Sequence, residues 1–546
     1  MKRKLLFPVM LIALSVFAFS SCNDSNDDLG EGGGAKPEVP VPATALEAAA
    51  LANAVYGPLQ TLSSSYSFLI ESATEATISF EEADDTKDGP QVSILELEKS
   101  NWYPIKIFNR LYTSIVAANT AIEGIGAAPV SDQLKQSDKD LLIARSQFIR
   151  GYNYFQLVQL FGEIPLIVRT DATDTEKETR KSVDEVYAQI VSDLNAAIPN
   201  LPEWEAKKSD PSQLAAKTIL AKVYLTWGQK PLTQDEVEAI KYGKADPVKP
   251  AVDTEKLQKA KDYADAVINS GKYTLLPDFN NIWGVRNENN AEVIFSIYHE
   301  GDGIDIQGNH QTHCGYTWPK FPRTDPHISY ADISYENALP DGDARKPYSY
   351  TTRVEHIDGT IDTLTWPLSI VRPGKWIHRT TTGLSEETQP NDIDHIDFRF
   401  GEVYLIKAEA QFFLGSEDKG LAAINTLRAR AHVPALTSVA LQDLYNEWGY
   451  ELAFEQKHWL NLVRWRTLLS SFNKIKSFEY YKDAYNNQAA FEALPGADKT
   501  RFAFYARIYK HLHAKIKNID GHYYRFPIPL SESYNELGVV GQNPGY

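Results

Sequence analysis

The chain has 546 residues, of which 43% are hydrophobic and 23% charged, and its formal net charge is −17. A negative charge of this size argues against nucleic acid as a partner and against electrostatic binding to anionic lipid. Only two cysteines occur, Cys22 and Cys314. If Cys22 is modified, as its context indicates below, the chain has no intrachain disulfide and is held together by packing alone.

The first 21 residues have the layout of an export signal. Three basic residues (2–4) precede an apolar run from 5 to 19, which is shorter than the ~20 residues of a membrane-spanning helix. Two serines follow, and then Cys22. A cysteine directly after the cleavage point predicts the lipoprotein variant, with Cys22 as the lipidated first residue of the mature chain. The alternative is an ordinary signal peptide followed by a coincidental cysteine.

Residues 22–45 are predicted to be a flexible tether. The segment is rich in Asp, Gly and Pro and has almost nothing to pack, so burial cannot offset the entropy of ordering it. Cleavage before the tether would remove three positive charges and no negative ones, which takes the net charge from −17 to −20. No later segment is apolar enough to cross a bilayer, so acyl chains would be the anchor. No linker divides residues 46–546, which are therefore expected to form one large domain.

Helical patterns fill residues 46–278 and 397–546. One apolar stripe of period 3.6 runs through Leu141, Ala144, Phe148, Tyr152, Phe155 and Val158, and Gly162 follows where a helix would stop. Ser182 with Glu185 three places later predicts a capping box at the start of the next helix. Helices of ~15 residues with alanines on their seams resemble tetratricopeptide units, although no 34-residue period survives.

Residues 279–396 have a different texture. Gly, Pro, Thr, His and aromatic residues dominate, with short strand-like runs such as "EVIFSIY" and "GTIDTLTW". We expect loops, hairpins and minor helices that project from the helical scaffold and face a ligand. The predicted fold class is therefore mostly α, a scaffold of helical pairs with long insertions of loops and short strands.

The order of several segments resembles the SusD/RagB family of outer-membrane nutrient-binding lipoproteins. The segments are "IARSQFIRGYNYFQLVQLFGEIPLI", "DPSQLAAKTILAKVYLTWG", "AEVIFSIY", "GDARKPYS", "FRFGEVYLIKAEAQFFLG", "AAINTLRARA", "YELAFEQKHWLNLVRW" and the closing "FPIPLSE…QNPGY". The acidic residues after Cys22 also resemble the surface-export signal of lipoproteins from the Bacteroidota. Two segments depart from the family pattern: the usual arginine-rich run before "EL" reads "NEWGYEL", and Lys457, His458 and Trp459 replace the later arginine-tryptophan pair. These departures put local ion pairing in doubt more than function.

The resemblance implies a SusD-like fold and a protein lipid-anchored to the outer membrane at the cell surface. Members capture glycans on aromatic platforms, pass them to a SusC-like TonB-dependent transporter, and carry no catalytic residues and no cofactor. Two alternatives stay open. The RagB branch serves a peptide transporter, so the ligand could be an oligopeptide, and a scaffold that binds no nutrient is the second alternative. The sequence does not indicate which monosaccharide or linkage the glycan contains.

Candidate ligand residues come from the irregular region, because a sugar needs flat aromatic faces and convergent polar groups. We predict that the helical Trp227, Trp448, Trp459 and Trp465 pack in the core, that Trp102 also packs, and that Trp283 is half-buried. The aromatic and polar candidates for the glycan site are Asn309, His310, His313, Tyr316, Trp318, Arg323, Tyr330, Trp366 and Trp376, with Asp84 and Asp85 on a polar loop at its border.

Other chemistry is less well supported by the residues. His310, His313 and Cys314 could ligate zinc, but a closed site needs a fourth donor, so no metal is expected. Glu455 and His458 have di-iron spacing without a second copy on a facing helix. Paired carboxylates suggest a glycosidase, but Glu447, Glu451 and Glu455 recur every four residues on one helix. They predict a buried ion-pair ladder with Arg464 and Arg466, within reach of Arg428 or Arg430. We therefore expect the protein to have no enzymatic activity.

Overall fold

The computed structural model describes most of the chain after residue 37. The described residues are 38–80, 88–284, 287–299, 328–331, 338–351, 353–355, 361–363, 372–373, 375, 394–473, 475, 479, 482, 485–487, 496–529 and 540–546. Residues Val39–Tyr546 form one compact unit. Among the helices in these ranges, none combines the length and the apolar character that crossing a membrane requires.

Helices dominate the described chain, as predicted. Those of the first half are α1 Ala45–Asn53, α2 Tyr56–Gln60, α3 Ser63–Ser72, α4 Asp88–Ser93, α5 Trp102–Ala127, α6 Gln136–Phe161, α7 Asp174–Glu178, α8 Val183–Ala197, α9 Gln213–Gly228, α10 Gln234–Ile240 and α11 Thr254–Asn269. Those of the second half are α12 Lys346–Ser349, α13 Phe400–Phe413, α14 Leu421–Arg430, α15 Leu441–Glu451, α16 His458–Arg464, α17 Leu468–Phe472 and α18 Gly496–Asn518. Short 3₁₀ helices cover Ile198–Asn200, Phe279–Ile282 and Gly521–Tyr524.

The strands are short and pair in twos. They are β1 Thr77–Phe80, β2 Ile164–Pro165, β3 Arg180–Lys181, β4 Val293–Ile297, β5 Ile328–Ala331, β6 Tyr350–Thr351, β7 Arg353–Glu355, β8 Ile361–Thr363, β9 Arg372–Pro373 and β10 His395–Arg399. The antiparallel pairs are β1 with β5, β2 with β3, β4 with β10, β6 with β9 and β7 with β8. The predicted strand "EVIFSIY" is confirmed as β4, and "GTIDTLTW" contains β8.

Local sequence signals set the helix ends. Ser182 Oγ accepts a hydrogen bond from the Glu185 N–H (3.3 Å), and Glu185 Oε2 accepts one from the Ser182 N–H (2.9 Å), so the predicted capping box is confirmed. The predicted stop at Gly162 is also confirmed, because α6 ends at Phe161 and Gly162 has φ 73°. A Cβ on Gly162 would lie 2.4 Å from the Arg525 side chain. Both this close contact and the positive φ therefore require glycine at the position.

The long helices pack on one another largely in chain order. Helix α5 packs on α6, α6 on α8, α8 on α9, α9 on α11, and α11 on α13. The predicted stripe on α6 is confirmed, with all its members buried except Leu141, which is partly buried. Phe295 of the fully buried β4 packs edge-on against Phe148 (ring centroids 5.1 Å apart), which joins the β4–β10 pair to the scaffold.

The tryptophans divide between core and surface. Trp448, Trp459 and Trp465 are buried, as predicted. Trp283 is more deeply buried than expected, at 7% exposure. Trp102 is 45% exposed, so the prediction that it packs is wrong. It occupies the first position of α5, where few neighbours cover it, and the Lys106 ammonium lies 4.4 Å from its ring centre.

Candidate functional site

Most of the predicted ligand residues fall outside the part of the chain that the structure describes. Those outside it are Cys22, Asp84, Asp85, Asn309, His310, His313, Cys314, Tyr316, Trp318, Arg323, Trp366 and Trp376. Tyr330 lies in β5, where its backbone is described. The candidate site is therefore built from the described residues that flank these segments.

The described flanks of two candidate segments meet at one strand pair. In the β1–β5 register, Thr77 lies opposite Ala331, Ile78 opposite Tyr330 and Phe80 opposite Ile328. Strand β1 ends four residues before Asp84, and β5 begins five residues after Arg323. The pairing therefore places the described flank of the 84–85 loop beside that of the 309–323 segment.

The described chain between Trp366 and Trp376 packs beside the same strand pair. Strand β9 lies in the sequence between Trp366 and Trp376, packs beside β5, and pairs with β6 through Tyr350 opposite Pro373. We call β1, β5, β6 and β9 the strand cluster. Segments far apart in sequence thus have their described ends at one position in the fold.

A buried lysine holds the chain in place before β1. Lys515, on α18, is 1% exposed, and its ammonium donates to the carbonyl oxygens of Ser72 (2.7 Å), Thr74 (3.0 Å) and Thr77 (2.6 Å). All three N–H donors are therefore satisfied, which a buried ammonium requires. Lys515 ties α18 to the start of the strand cluster.

A ladder of buried carboxylates begins on α15 and continues just beyond its end. Glu447, Glu451 and Glu455 are at most 3% exposed. Arg345, itself fully buried, donates to Glu447 Oε1 (2.6 Å) and Glu451 Oε2 (3.1 Å), and its other nitrogens bond Asp343 (2.9 and 2.7 Å). Each guanidinium edge therefore meets a carboxylate, the geometry in which a buried arginine is stable.

Two more arginines complete the carboxylate ladder. Arg399 donates to Glu455 Oε2 (2.7 Å), to Glu451 Oε1 (2.6 Å) and to Glu292 Oε1 (2.9 Å). Arg430 pairs with Glu451 and, at 3.2 Å, with Glu292. Burial by itself would raise the pKa of Glu451, but the Arg430, Arg399 and Arg345 charges hold that pKa well below its ordinary value.

Lys375 connects the third candidate segment to the carboxylate ladder. Its ammonium donates to Glu455 Oε1 (2.6 Å) and to the Glu451 carbonyl oxygen (3.0 Å), and the residue is 1% exposed. Burial lowers the pKa of Lys375 to about 8, although the Glu455 charge opposes that shift. Because Lys375 directly precedes Trp376, the ladder anchors the chain beside a candidate residue.

The ladder is structural, as predicted, but half of its predicted partners are wrong. Arg428 and Arg430 do contact it, at Glu447 (3.3 Å) and Glu451. Arg464 instead pairs with Glu409, and Arg466 with Glu236. The partners that the prediction missed are Arg345, Arg399 and Lys375. The arginines inside "GDARKPYS" and "FRFGEVY" were the available signal, because both motifs had already been singled out.

Lys457 and His458, which replace the family's arginine-tryptophan pair, also find partners. Lys457 pairs with Asp397 (2.6 Å), and His458 Nε2 lies 3.0 Å from Glu75 Oε1. The neighbouring Glu71 accepts from the Gln456 N–H (2.7 Å), and burial raises the pKa of Glu71 to about 7. Among the described residues, no three His, Cys, Asp or Glu side chains are placed to hold a metal ion.

The comparison with protein families agrees with this arrangement of helices and strands. A model described as the SusD family matches residues 359–546, and one described as starch-binding, associating with outer membrane, matches residues 50–225. The two ranges do not overlap and together take in more than half of the chain. The chain belongs to the SusD family.

Individual relatives are distant but cover most of the chain. "SusD-like protein P2" of Formosa agariphila is 27% identical over 393 residues, which are 65% of this chain and 70% of that protein. "Starch-binding protein SusD" of Bacteroides thetaiotaomicron is 23% identical over 523 residues, 85% of this chain and 82% of that protein. A solved "Laminarin binding SusD-like protein" superimposes with a TM-score of 0.67 at 22% identity, over 92% of this chain and all of that one. The superposition establishes the shared SusD fold.

Proposed function

We propose that this SusD-family protein is a cell-surface glycan-binding lipoprotein. It captures oligosaccharides or polysaccharides and delivers them to a SusC-like TonB-dependent transporter in the outer membrane. The observation that carries the proposal is the strand cluster, at which the described flanks of all three candidate segments meet. Starch and laminarin in the names of similar proteins support a glycan as the ligand class.

The strand cluster suits a site made from segments far apart in sequence. A sugar ring presents an apolar C–H face and a rim of hydroxyls, so it needs aromatic faces with polar groups around them. Trp318, Tyr316 and Trp366 would supply such faces in this proposal. Each stacking contact contributes about 1 kcal/mol, and a few of them give millimolar affinity, roughly 4 kcal/mol. Weak binding suits capture followed by release to a transporter.

Two buried lysines fix the described chain at the strand cluster, which allows loops that start there to serve as a binding surface. Lys515 holds β1, and Lys375 holds the chain after β9 against the carboxylate ladder. Anchored ends reduce the entropy that a loop loses when it binds a ligand. A lipid on Cys22 would keep the protein at the membrane surface, and the transporter would be its protein partner.

The proposal includes no catalysis. The carboxylates that most resemble a glycosidase pair, Glu451 and Glu455, are each bonded to Arg399 and fully buried. An ion-paired carboxylate held at low pKa is a poor general acid at neutral pH. In this proposal Glu451 and Glu455 therefore stabilise the fold through their ion pairs.

The proposal is tested with the double variant Trp318→Ala/Tyr316→Ala. Isothermal titration against mixed oligosaccharides and against mixed peptides should show loss of glycan binding, with circular dichroism unchanged. The matched control is Trp204→Ala/Tyr242→Ala, which removes two exposed aromatic side chains of the helical scaffold and should leave binding intact. Saturable peptide binding with no response to sugars would favour the oligopeptide alternative. Unchanged growth of the variant strain on every polysaccharide would favour the pure scaffold.

A further inference from the structure

A second concave site lies on the helical scaffold. A cleft of about 530 Å³ opens between the start of α8, the end of α9 and the chain that leads into α11. We call it the scaffold cleft, and its walls include Asp184, Trp227, Lys230, Pro231 and Pro250. Its volume lies within the ~300–1,000 Å³ of small-molecule sites. Within the described chain, it shares no lining residue with the strand cluster.

The apolar wall of the scaffold cleft is rigid. The Trp227 indole is partly exposed, and the Tyr187 ring stacks on it with a 5.6 Å centroid distance and a 17° interplanar angle. Its N–H donates to Asp184 Oδ1 (2.5 Å). The prediction that Trp227 packs is thus correct for one part of the ring, while another part faces the cleft. A ring held before a ligand arrives loses little entropy on binding.

Most charges on the cleft wall are neutralised by each other. Asp253, the N-cap of α11, pairs with Lys256 (2.5 Å), and Glu236 of α10 pairs with Arg466 (2.7 Å). These groups are fixed at helix starts or by a second partner, since Arg466 also donates to the Val248 carbonyl oxygen (2.7 Å). They offer hydrogen-bonding positions without a large net field.

Three charged groups keep free hydrogen-bonding capacity. Asp184 is exposed and uses only Oδ1 for the indole. For the side chains of Glu163 and Lys230, the described chain contains no hydrogen-bond or ion-pair partner. The charge of Glu163 is felt by Arg180 and Arg525, which partly compensate it. Two carboxylates and one ammonium therefore face the cleft, with a formal net charge of −1.

We propose that the scaffold cleft is a second ligand site and that it binds a neutral saccharide of one to three rings. An anion would be repelled by Glu163 and Asp184, whereas a neutral ligand needs no opposite charge beyond the ion pairs already present in the wall. A sugar meets both walls, because its C–H face packs on the prolines and on the part of the indole that the Tyr187 ring and the Lys256 ammonium (4.4 Å from the ring centre) leave exposed, while its hydroxyls bond carboxylate and ammonium. The inference goes beyond the proposed function, since it adds a site outside the strand cluster, although the ligand class is shared.

The test is a variant that changes the free groups and spares the fold. In Asp184→Asn the amide oxygen still accepts the Trp227 N–H. Lys230 has φ 55°, a left-handed conformation that asparagine tolerates, so Lys230→Asn is the compatible change. The double variant Asp184→Asn/Lys230→Asn is compared with Asp235→Asn/Lys217→Asn, which makes the same exchanges at scaffold positions outside the cleft lining.

The probes are laminaritriose, maltotriose and cellotriose, titrated calorimetrically into the full-length protein. We expect about two molecules of at least one trisaccharide per wild-type chain, and about one in the cleft variant with affinity at the lost site reduced at least tenfold. The control variant should match the wild type, and all melting temperatures should agree. Equal binding by the cleft variant and the wild type, or no binding of any trisaccharide by the wild type, overturns the proposal.

Two further outcomes separate the cleft from the strand cluster. If Trp318→Ala/Tyr316→Ala binds like the wild type while the cleft variant loses its site, the cleft stands and the strand-cluster site is wrong. The reverse pattern leaves the strand-cluster site standing and removes the cleft proposal. If the cleft variant loses affinity only for a lysine-rich peptide, the cleft is a peptide site and the saccharide assignment fails.

Discussion

The carboxylate ladder and the scaffold cleft are both rich in charged groups, but they differ in how much hydrogen-bonding capacity those groups leave unused. In the ladder, Glu451 accepts from three arginines and is fully buried. In the cleft, Asp184 is exposed with one oxygen uncommitted, and Lys230 faces solvent. Charge density by itself does not mark a binding site; unused hydrogen-bonding capacity beside an open volume does.

The largest effect should follow from breaking the ladder. Arg399→Ala leaves Glu292, Glu451 and Glu455 short of a buried partner, and we expect a loss of about 3–5 kcal/mol in the free energy of unfolding. Thermal melting and urea denaturation measure it. The matched control is Arg169→Ala, because Arg169 also bonds two carboxylates but is 43% exposed. It should leave the free energy of unfolding close to that of the wild type, because solvent screens an exposed ion pair. Equal effects of the two variants would contradict the role of burial.

The next effect tests the anchor of the strand cluster. Lys515→Met removes the three charge-assisted hydrogen bonds to the carbonyl oxygens of Ser72, Thr74 and Thr77, so we expect roughly 3 kcal/mol of destabilisation. Amide exchange of residues 72–80 should accelerate with it, and glycan binding should weaken. Lys517→Met, an exposed position on the same helix, is the control. If exchange near β1 is unchanged in Lys515→Met, the lysine does not hold the strand cluster.

A third prediction concerns pH. The pKa of Glu71 is about 7 in the folded protein, because burial raises it, against 4.5 for the ordinary side chain. Between these values the unfolded chain loses this proton and the folded chain keeps it, so stability falls as pH rises from about 4.5 to 7. Glu71→Gln should remove roughly 2–3 kcal/mol of that pH dependence. Melting temperatures of both proteins from pH 4.5 to 8 check it, and parallel curves would refute it.

The smallest effect tests the wall of the scaffold cleft. Ser182→Ala removes the N-cap of α8, for which we expect about 1 kcal/mol. Because Ser182 borders the cleft, trisaccharide binding there should weaken slightly as the first turn frays. Thr173→Ala, the cap of the short exposed helix α7, is the control: it should leave trisaccharide binding unchanged. A binding loss equal in both variants would mean that the cap acts through global stability.

The sequence was informative wherever the determining interaction is local. The capping box at Ser182, the helix end at Gly162 and the apolar stripe of α6 are each set within a few turns of backbone, and all three are as predicted. The buried character of Glu447 and Glu451 also followed from their spacing on one helix face, whereas the prediction that Glu455 lies on the same helix is wrong: Glu455 is buried but follows the end of α15 by four residues. The choice of candidate segments for the ligand stays a prediction.

Tertiary structure decided which groups meet. The ladder's main arginines, Arg345 and Arg399, lie 106 and 52 residues from Glu451, and no local pattern selects them over the nearer Arg464. The register of Ile78 opposite Tyr330 and the opening of the scaffold cleft are likewise products of packing. Helix caps and periodicity depend on neighbours along the chain, whereas ion-pair partners, strand pairing and cavities depend on which surfaces come together in the folded molecule.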